Sequence, residues 1–294
     1  MTSQSFLQMN TIFISILIEA MPFVLLGVII SGIIQMFVTE EMLAKIIPKN
    51  RFLSVVVTTL LGAIFPACEC GIIPITKRLI AKGVPLHAAA GFMLTGPVIN
   101  PVVIFSTYIA FGNSWSMVGQ RVGLSFIVAL LAGWMISFHF KDSQLKEEIH
   151  VHSTAKMPFK EKVSGAIKHT IDEFFLVGKY LVAGSIIAAA MQTYVKTSTL
   201  LSIGNGHYMP IVVMMVLAFI LSVCSSADAF IASSFRGSFA NNALVAFLSF
   251  GPMFDIKNTL MMLGNFKGKF VLVLFMYVFI FTFLGAAFLI RGGL

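Results

Sequence analysis

The chain has 294 residues, of which 58% are hydrophobic and only 11% charged, and its mean hydropathy is +0.95. A soluble protein of this length carries about 25% charged residues, so a water-soluble globular domain is excluded. The net charge of +8 lies in the segments between apolar runs, where it bears on membrane orientation and gives no case for nucleic-acid binding.

Apolar blocks run over 11–38, 52–67, 71–82, 86–111, 116–140, 171–195, 208–224, 227–236, 241–264 and 269–290. Several are long enough to cross a bilayer core about 30 Å thick. They lack the apolar–polar alternation of barrel strands, so the expectation is an all-α polytopic membrane protein. The segment MTSQSFLQMN has no Lys or Arg, and no small-residue cleavage site follows it, so 11–38 is expected to remain as a span rather than leave as a signal peptide. The stretch 141–168, KDSQLKEEIHVHSTAKMPFKEKVSGAIK, reads as a cytoplasmic polar linker between a first membrane repeat, 1–140, and a second, 169–294.

The repeat shows in the order of four landmarks. An offset of 155 residues places TGPVINP on FGPMFDI, with Gly96 on Gly251, Pro97 on Pro252 and Asn100 on Asp255. The same offset brings the Cys68–Cys70 turn onto Cys224, and Glu19 falls on Glu173 after a one-residue gap. Internal repeats of this kind build many transporters.

Segments 52–66 and 71–82 reach only about 22 Å and 16 Å as helices, at 1.5 Å per residue. If they form a re-entrant hairpin, each half has three transmembrane helices plus one hairpin, and most of the 20 Lys and Arg fall on the cytoplasmic side when the N-terminus is outside. The alternative, eight continuous spans, divides them more evenly. Three spans per half invert the second repeat, so the hairpins enter from opposite faces and their tips approach near mid-membrane.

The first tip is FPACECG. Pro66 removes a backbone donor and Gly71 permits a sharp turn. Cys68 and Cys70 in an extended or turned tip present two thiols together, and thiolates favour soft ions, so Cys68, Cys70 and Cys224 are candidate metal or metalloid ligands. Free Cys also packs as a small hydrophobe, which is the plainer reading. Glu69 and Asp228 are carboxylates at a depth where each costs roughly 2.5–3.5 kcal/mol to insert, which marks them as candidates for substrate binding or proton exchange. Asn100 and Asp255, with Gly96, Pro97, Pro101, Gly251 and Pro252, interrupt long helices at matching points, as helix breaks do at ion sites. Glu19 either lines a cavity mouth or reaches the surface. Met93 and Met253 near the breaks read as packing, His150 and His152 as solvated linker residues, and Lys77, Arg78 and Lys82 as anchors of the hairpin at the cytoplasmic interface. No P-loop, HExxH or G-x-S-x-G pattern occurs, nor any organic cofactor motif.

With FPACECGIIPI followed by TGPVINP, the chain resembles the YraQ/ArsP-type bacterial permeases over nearly its whole length. Cys68, Cys70, Gly71, Gly96, Pro97, Asn100 and Pro101 match that family's motif positions. The resemblance implies a multi-pass protein of the bacterial cell membrane that is not an enzyme; one branch of the family exports trivalent organoarsenicals. The expected function is therefore secondary efflux of a soft or thiol-reactive solute, a metalloid or transition metal, through a site at the two tips. Expected partners are the lipid bilayer, a small inorganic or organometalloid solute, and a membrane partner subunit or second copy. The alternative is a thiol redox or metal-handing subunit acting with a partner protein.

Overall fold

The computed structural model describes residues 3–65, 68–146, 158–194, 206 and 208–291, and among them the regular structure is α-helical. Four helices are long and apolar enough to cross a bilayer: α1 (Ser3–Phe37), α7 (Trp115–His139), α8 (Phe159–Tyr194) and α13 (Gly268–Arg291). Between them lie shorter ones: α2 (Glu40–Ile46), α3 (Arg51–Ile64), α4 (Glu69–Ala81), α5 (Leu86–Thr95), α6 (Pro101–Ala110), α9 (Met209–Leu221), α10 (Asp228–Ser234), α11 (Asn241–Phe250) and α12 (Ile256–Asn265). The protein is an all-α polytopic membrane protein. Pro66, His150 and His152 lie outside the described residues.

Local chemistry sets the helix ends. Asn50 Oδ1 accepts from the N–H groups of Phe52 and Leu53 at the start of α3, and Ser114 caps α7. The two Gly-Pro breaks give matching helix–break–helix units, each arm having 10 residues and standing 155 positions from its counterpart. Asn100 Oδ1 accepts from Val103 N at 3.0 Å, and Asp255 Oδ1 accepts from Asn258 N at 2.6 Å. Each break thus ends one helix and caps the next with a short polar side chain.

The short arms cross over between the halves: α4 packs against α12, and α10 against α6. The long helices α1 and α8 lie along each other, and α1 also covers α4. That second contact depends on glycine, because a Cβ on Gly27 would stand 2.5 Å from Gly71 Cα. In the same way α8 meets α12 at Gly184, where a Cβ would stand 2.9 Å from Lys257 Cα.

Both ends of the α3–α4 unit lie on one face. Lys49 and Lys82 line a common cavity of about 300 Å³, and Arg51, Gly83, His87 and Lys141 line another of about 260 Å³. Lys141 follows the last turn of α7. The end of α10 lies by the other end of that helix, where Arg236 Nη2 donates to Phe111 O at 2.7 Å in the turn before α7. Backbone bonds from Lys146 N to Asn265 O and from Lys267 N to Gln144 O dock the start of the polar stretch against the α12–α13 corner. Helix α8 begins at Phe159, inside that stretch.

Candidate functional site

At the first tip, Cys68 is the extended residue before α4, with φ −84° and ψ 168°. Its carbonyl accepts from Gly71 N and Ile72 N, so Glu69, Cys70 and Gly71 form the first turn of α4 rather than a loop. The sequence reading starts the arm at Gly71; the carbonyl of Cys68 lets the helix begin two residues earlier. The two thiols remain within electrostatic reach of each other, with Cys70 buried and Cys68 half-buried.

At the second tip, α9 ends at Ser222 in the left-handed region, φ 51°. The Cys224 carbonyl then accepts from Ala227 N and Asp228 N, turning the chain into α10, whose first residue is Asp228. Ser226 Oγ donates to Cys224 Sγ at 3.7 Å. Glu69 and Asp228 therefore hold equivalent places: each is an acid opening the second arm of its hairpin.

Lys257, in the first turn of α12, is where the tips join. Its Nζ stands 3.8 Å from Glu69 Oε1 on the first hairpin and 3.8 Å from Asp255 Oδ2 at the second Gly-Pro break. Its backbone N–H donates to Ser222 Oγ on the second tip at 3.3 Å. Cys70 and Cys224 both lie within electrostatic reach of this ammonium. Glu69 and Asp255 are each 1% exposed and Lys257 3%.

Asp228 is held elsewhere. Arg121 on α7 donates to its two oxygens at 3.1 and 2.9 Å, to Thr107 Oγ1 at 2.8 Å and to Ser225 O at 3.2 Å. Two further ion pairs fix α4 to α8, with Lys77 Nζ 3.4 Å from Glu173 Oε1 and Arg78 bonded to the other oxygen. Lys77, Arg78 and Lys82, expected at the interface, are buried, because α8 and neighbouring segments cover this end of α4.

The structure thus brings Glu69 and Asp255 to Lys257, with Cys70 and Cys224 within electrostatic reach of the same ammonium and Cys68 beside Cys70 at the tip. Asn100 serves as the cap of α6, and Met93 and Met253 are buried among core residues. Gly96 and Gly251 carry nearly the same backbone, φ −50° with ψ −47° and −55°. Glu19 is exposed on α1, unlike its aligned mate Glu173. Among the described residues no three His, Cys, Asp or Glu side chains are gathered as a metal-holding group. Sequence reasoning missed Lys257 and Arg121 as site residues. The available signal was a cation in an apolar block beside an acid, Asp255-x-Lys257, and a lone Arg within a span.

Residues 5–290 match the predicted-permease family ArsP_1. The UPF0718 protein YcgR of Bacillus subtilis is 59% identical over 295 residues, covering 99% of this chain and all of the relative. A protein of Streptococcus mutans named as a putative two-component membrane permease complex subunit is 46% identical over 271 residues, covering 91% of this chain and 90% of its own. A UPF0718 protein of Methanocaldococcus jannaschii is 23% identical over 150 residues, half of this chain and 40% of the relative. No solved structure matches. With its membrane helices and the match over nearly its whole length, the chain belongs to the ArsP-type predicted-permease family of multi-pass plasma-membrane proteins.

Proposed function

We propose that the protein is a secondary efflux permease, not an enzyme, in which two inverted repeats (1–140 and 169–294) bring two re-entrant hairpins together at a midplane site for a soft or thiol-reactive solute. The observation that carries this reading is the junction at Lys257, where Glu69 of the first hairpin, Ser222 of the second and Asp255 of a helix break converge. Irregular backbone and charge at such depth are tolerated where protein buries them or a solute path needs them. The inverted arrangement is supported by the ends of α3–α4 lying beside Lys141 and the end of α10 beside Phe111, at opposite ends of α7.

In this reading Cys68 and Cys70 bind the solute. A trivalent metalloid hydroxide would exchange two hydroxides for two thiol sulfurs: two metalloid–oxygen bonds break, two metalloid–sulfur bonds form and two waters leave. Cys224 and Asp228 complete the second tip, and Asn100 and Asp255 hold the breaks that border it. The test is efflux of trivalent metalloids and divalent transition metals from loaded proteoliposomes, comparing wild type with Cys68→Ser/Cys70→Ser. Flux lost in the double variant supports the reading; flux that is unchanged removes the thiols from it.

A second reading is a subunit that hands metal or redox equivalents to a membrane partner; the Streptococcus mutans relative, named as a putative two-component membrane permease complex subunit, supports the partner alone. It predicts no net flux by the purified chain alone and restored flux once a co-purifying second component is added.

A further inference from the structure

Three buried oxygens, on the two carboxylates that pair with Lys257 and on the next residue of its helix, have no hydrogen-bond donor: Glu69 Oε2, Asp255 Oδ2 and Asn258 Oδ1. Their residues are 1%, 1% and 4% exposed, so water does not solvate them freely. An unmatched buried acceptor costs about 1–3 kcal/mol, and more when it is charged. The one cation among them is held loosely. At 3.8 Å from both carboxylates, the Lys257 ammonium is at ion-pair distance and beyond the 2.7–3.2 Å span of a hydrogen bond.

Charge counting sharpens the point. With both carboxylates ionised, Glu69 and Asp255 carry two negative charges against one positive on Lys257, which leaves the cluster at −1 in a buried setting. The neighbouring Asp228 adds nothing, because Arg121 neutralises it. Exposed Glu19 on α1, within electrostatic reach of Glu69, adds negative potential. A group of hard oxygens with one surplus negative charge suits a single hard monovalent cation. A thiophilic ion would instead seek Cys70 and Cys224.

We propose that Glu69, Asp255 and Asn258 form a binding site for a partly dehydrated alkali-metal cation, sodium rather than potassium, and that the Lys257 ammonium is the tethered occupant which this cation displaces. Two carboxylates are strong-field ligands and favour the smaller alkali ion. A proton would satisfy one carboxylate and leave the remaining oxygens without a donor, whereas a metal cation is coordinated by several oxygens at once. Asp255 and Asn258 suit the role because the former caps α12 through Oδ1 alone, which leaves Oδ2 facing the ammonium. Asn258 in turn spends its amide N–H on Met253 O at 3.0 Å, which leaves its carbonyl oxygen unused.

The site also has a mechanical output. Glu69 belongs to the first hairpin, Asp255 and Asn258 to the second break, and Lys257 N–H holds Ser222 of the second tip. A cation that displaces the ammonium replaces the charged link that joins the first hairpin to α12 through Glu69 and Lys257. This deepens the permease reading by naming a coupling ion, and in that respect it rests on that reading. Binding itself needs no transport.

The experiment is equilibrium binding of radioactive sodium to the full chain in lipid nanodiscs, with choline chloride holding ionic strength constant and pH fixed. Wild type is expected to bind sodium saturably, with potassium competing at least tenfold more weakly. Asp255→Asn keeps the cap and removes the charge, and is expected to weaken binding at least tenfold. Lys257→Gln removes the competitor, and is expected to bind at least tenfold more tightly and to gain a sodium-dependent rise in Tm. Sodium, potassium and choline behaving alike in wild type would overturn the proposal, as would sodium binding unaltered in Asp255→Asn. If Lys257→Gln does not fold, the wild-type and Asp255→Asn measurements still decide. Sodium binding without solute flux would sink the permease reading alone, and flux without sodium binding would sink this inference alone.

Discussion

Arg121 and Asp228 are 107 residues apart in sequence and meet as a two-pronged pair, with Nη1–Oδ1 at 3.1 Å and Nη2–Oδ2 at 2.9 Å. The guanidinium has a planar fork that lysine lacks. Arg121→Ala leaves a buried carboxylate unpaired and is expected to cost about 3–5 kcal/mol. Arg121→Lys should recover only part of that loss, since it cannot bond both oxygens and Ser225 O together. Thermal unfolding of the detergent-purified variants, with Arg121→Met/Asp228→Leu as the paired replacement, checks the order. The paired variant is expected to be more stable than Arg121→Ala.

Glu173 serves two cations, so its loss should exceed that of either partner. Glu173→Gln strands Lys77 and Arg78 in a buried place, with an expected cost of about 3–5 kcal/mol. Lys77→Met leaves Arg78 bonded to the same carboxylate and should cost far less. Chemical denaturation of the three proteins measures the difference. Equal losses in Glu173→Gln and Lys77→Met would contradict a shared acceptor.

The crossing of α1 over α4 admits no side chain. Gly27→Ala brings a Cβ within 2.5 Å of Gly71 Cα, backbone against backbone, and should destabilise by about 1–3 kcal/mol. Gly119→Ala on α7, where a Cβ would meet nothing within 4 Å, is the control and should lie within about 0.5 kcal/mol of wild type or above it. Melting temperatures of both variants in the same detergent suffice.

Asn100 and Asp255 cap equivalent helices but differ in charge. Asn100→Ala is expected to lose about 0.5–2 kcal/mol, the usual worth of an N-cap. Asn100→Ser, which restores an acceptor at that position, should recover most of it. Unfolding midpoints test this directly.

The hairpin arrangement predicts a labelling pattern with a membrane-impermeant maleimide. In a background with the three native cysteines changed to serine, Lys49→Cys and Lys141→Cys should react from one side of the membrane and Ser238→Cys from the other. Lys49 and Lys141 labelling from opposite faces would contradict the re-entrant hairpin.

Much of this was legible in the residues. Gly96-Pro97 and Gly251-Pro252 announce the breaks, and Asn100 and Asp255 announce the helix starts that follow, because proline and short polar caps act locally. The acids at the tips were legible by their cost in an apolar block. Their partners were not. Lys257 reads as a stray cation within a span, and nothing near Arg121 in sequence points to Asp228. The extent of α4 was misjudged for a local reason, since a glycine at position 71 suggests a turn while the Cys68 carbonyl already starts a helix. Glu19 and Glu173 align, yet one is exposed and the other buried between two cations, because repeat position does not fix what packs on it.

The ion-paired charges in the core are sorted along the chain. Before residue 147 they are Lys77, Arg78 and Arg121 against Glu69, a surplus of two positive charges. After residue 157 they are Glu173, Asp228 and Asp255 against Lys257, a surplus of two negative charges. Each half alone would hold charge that lipid cannot screen and that its own side chains cannot cancel. The surpluses are opposite in sign, and the pairs that cancel them run from one half to the other, Glu69 to Lys257, Lys77 and Arg78 to Glu173, and Arg121 to Asp228.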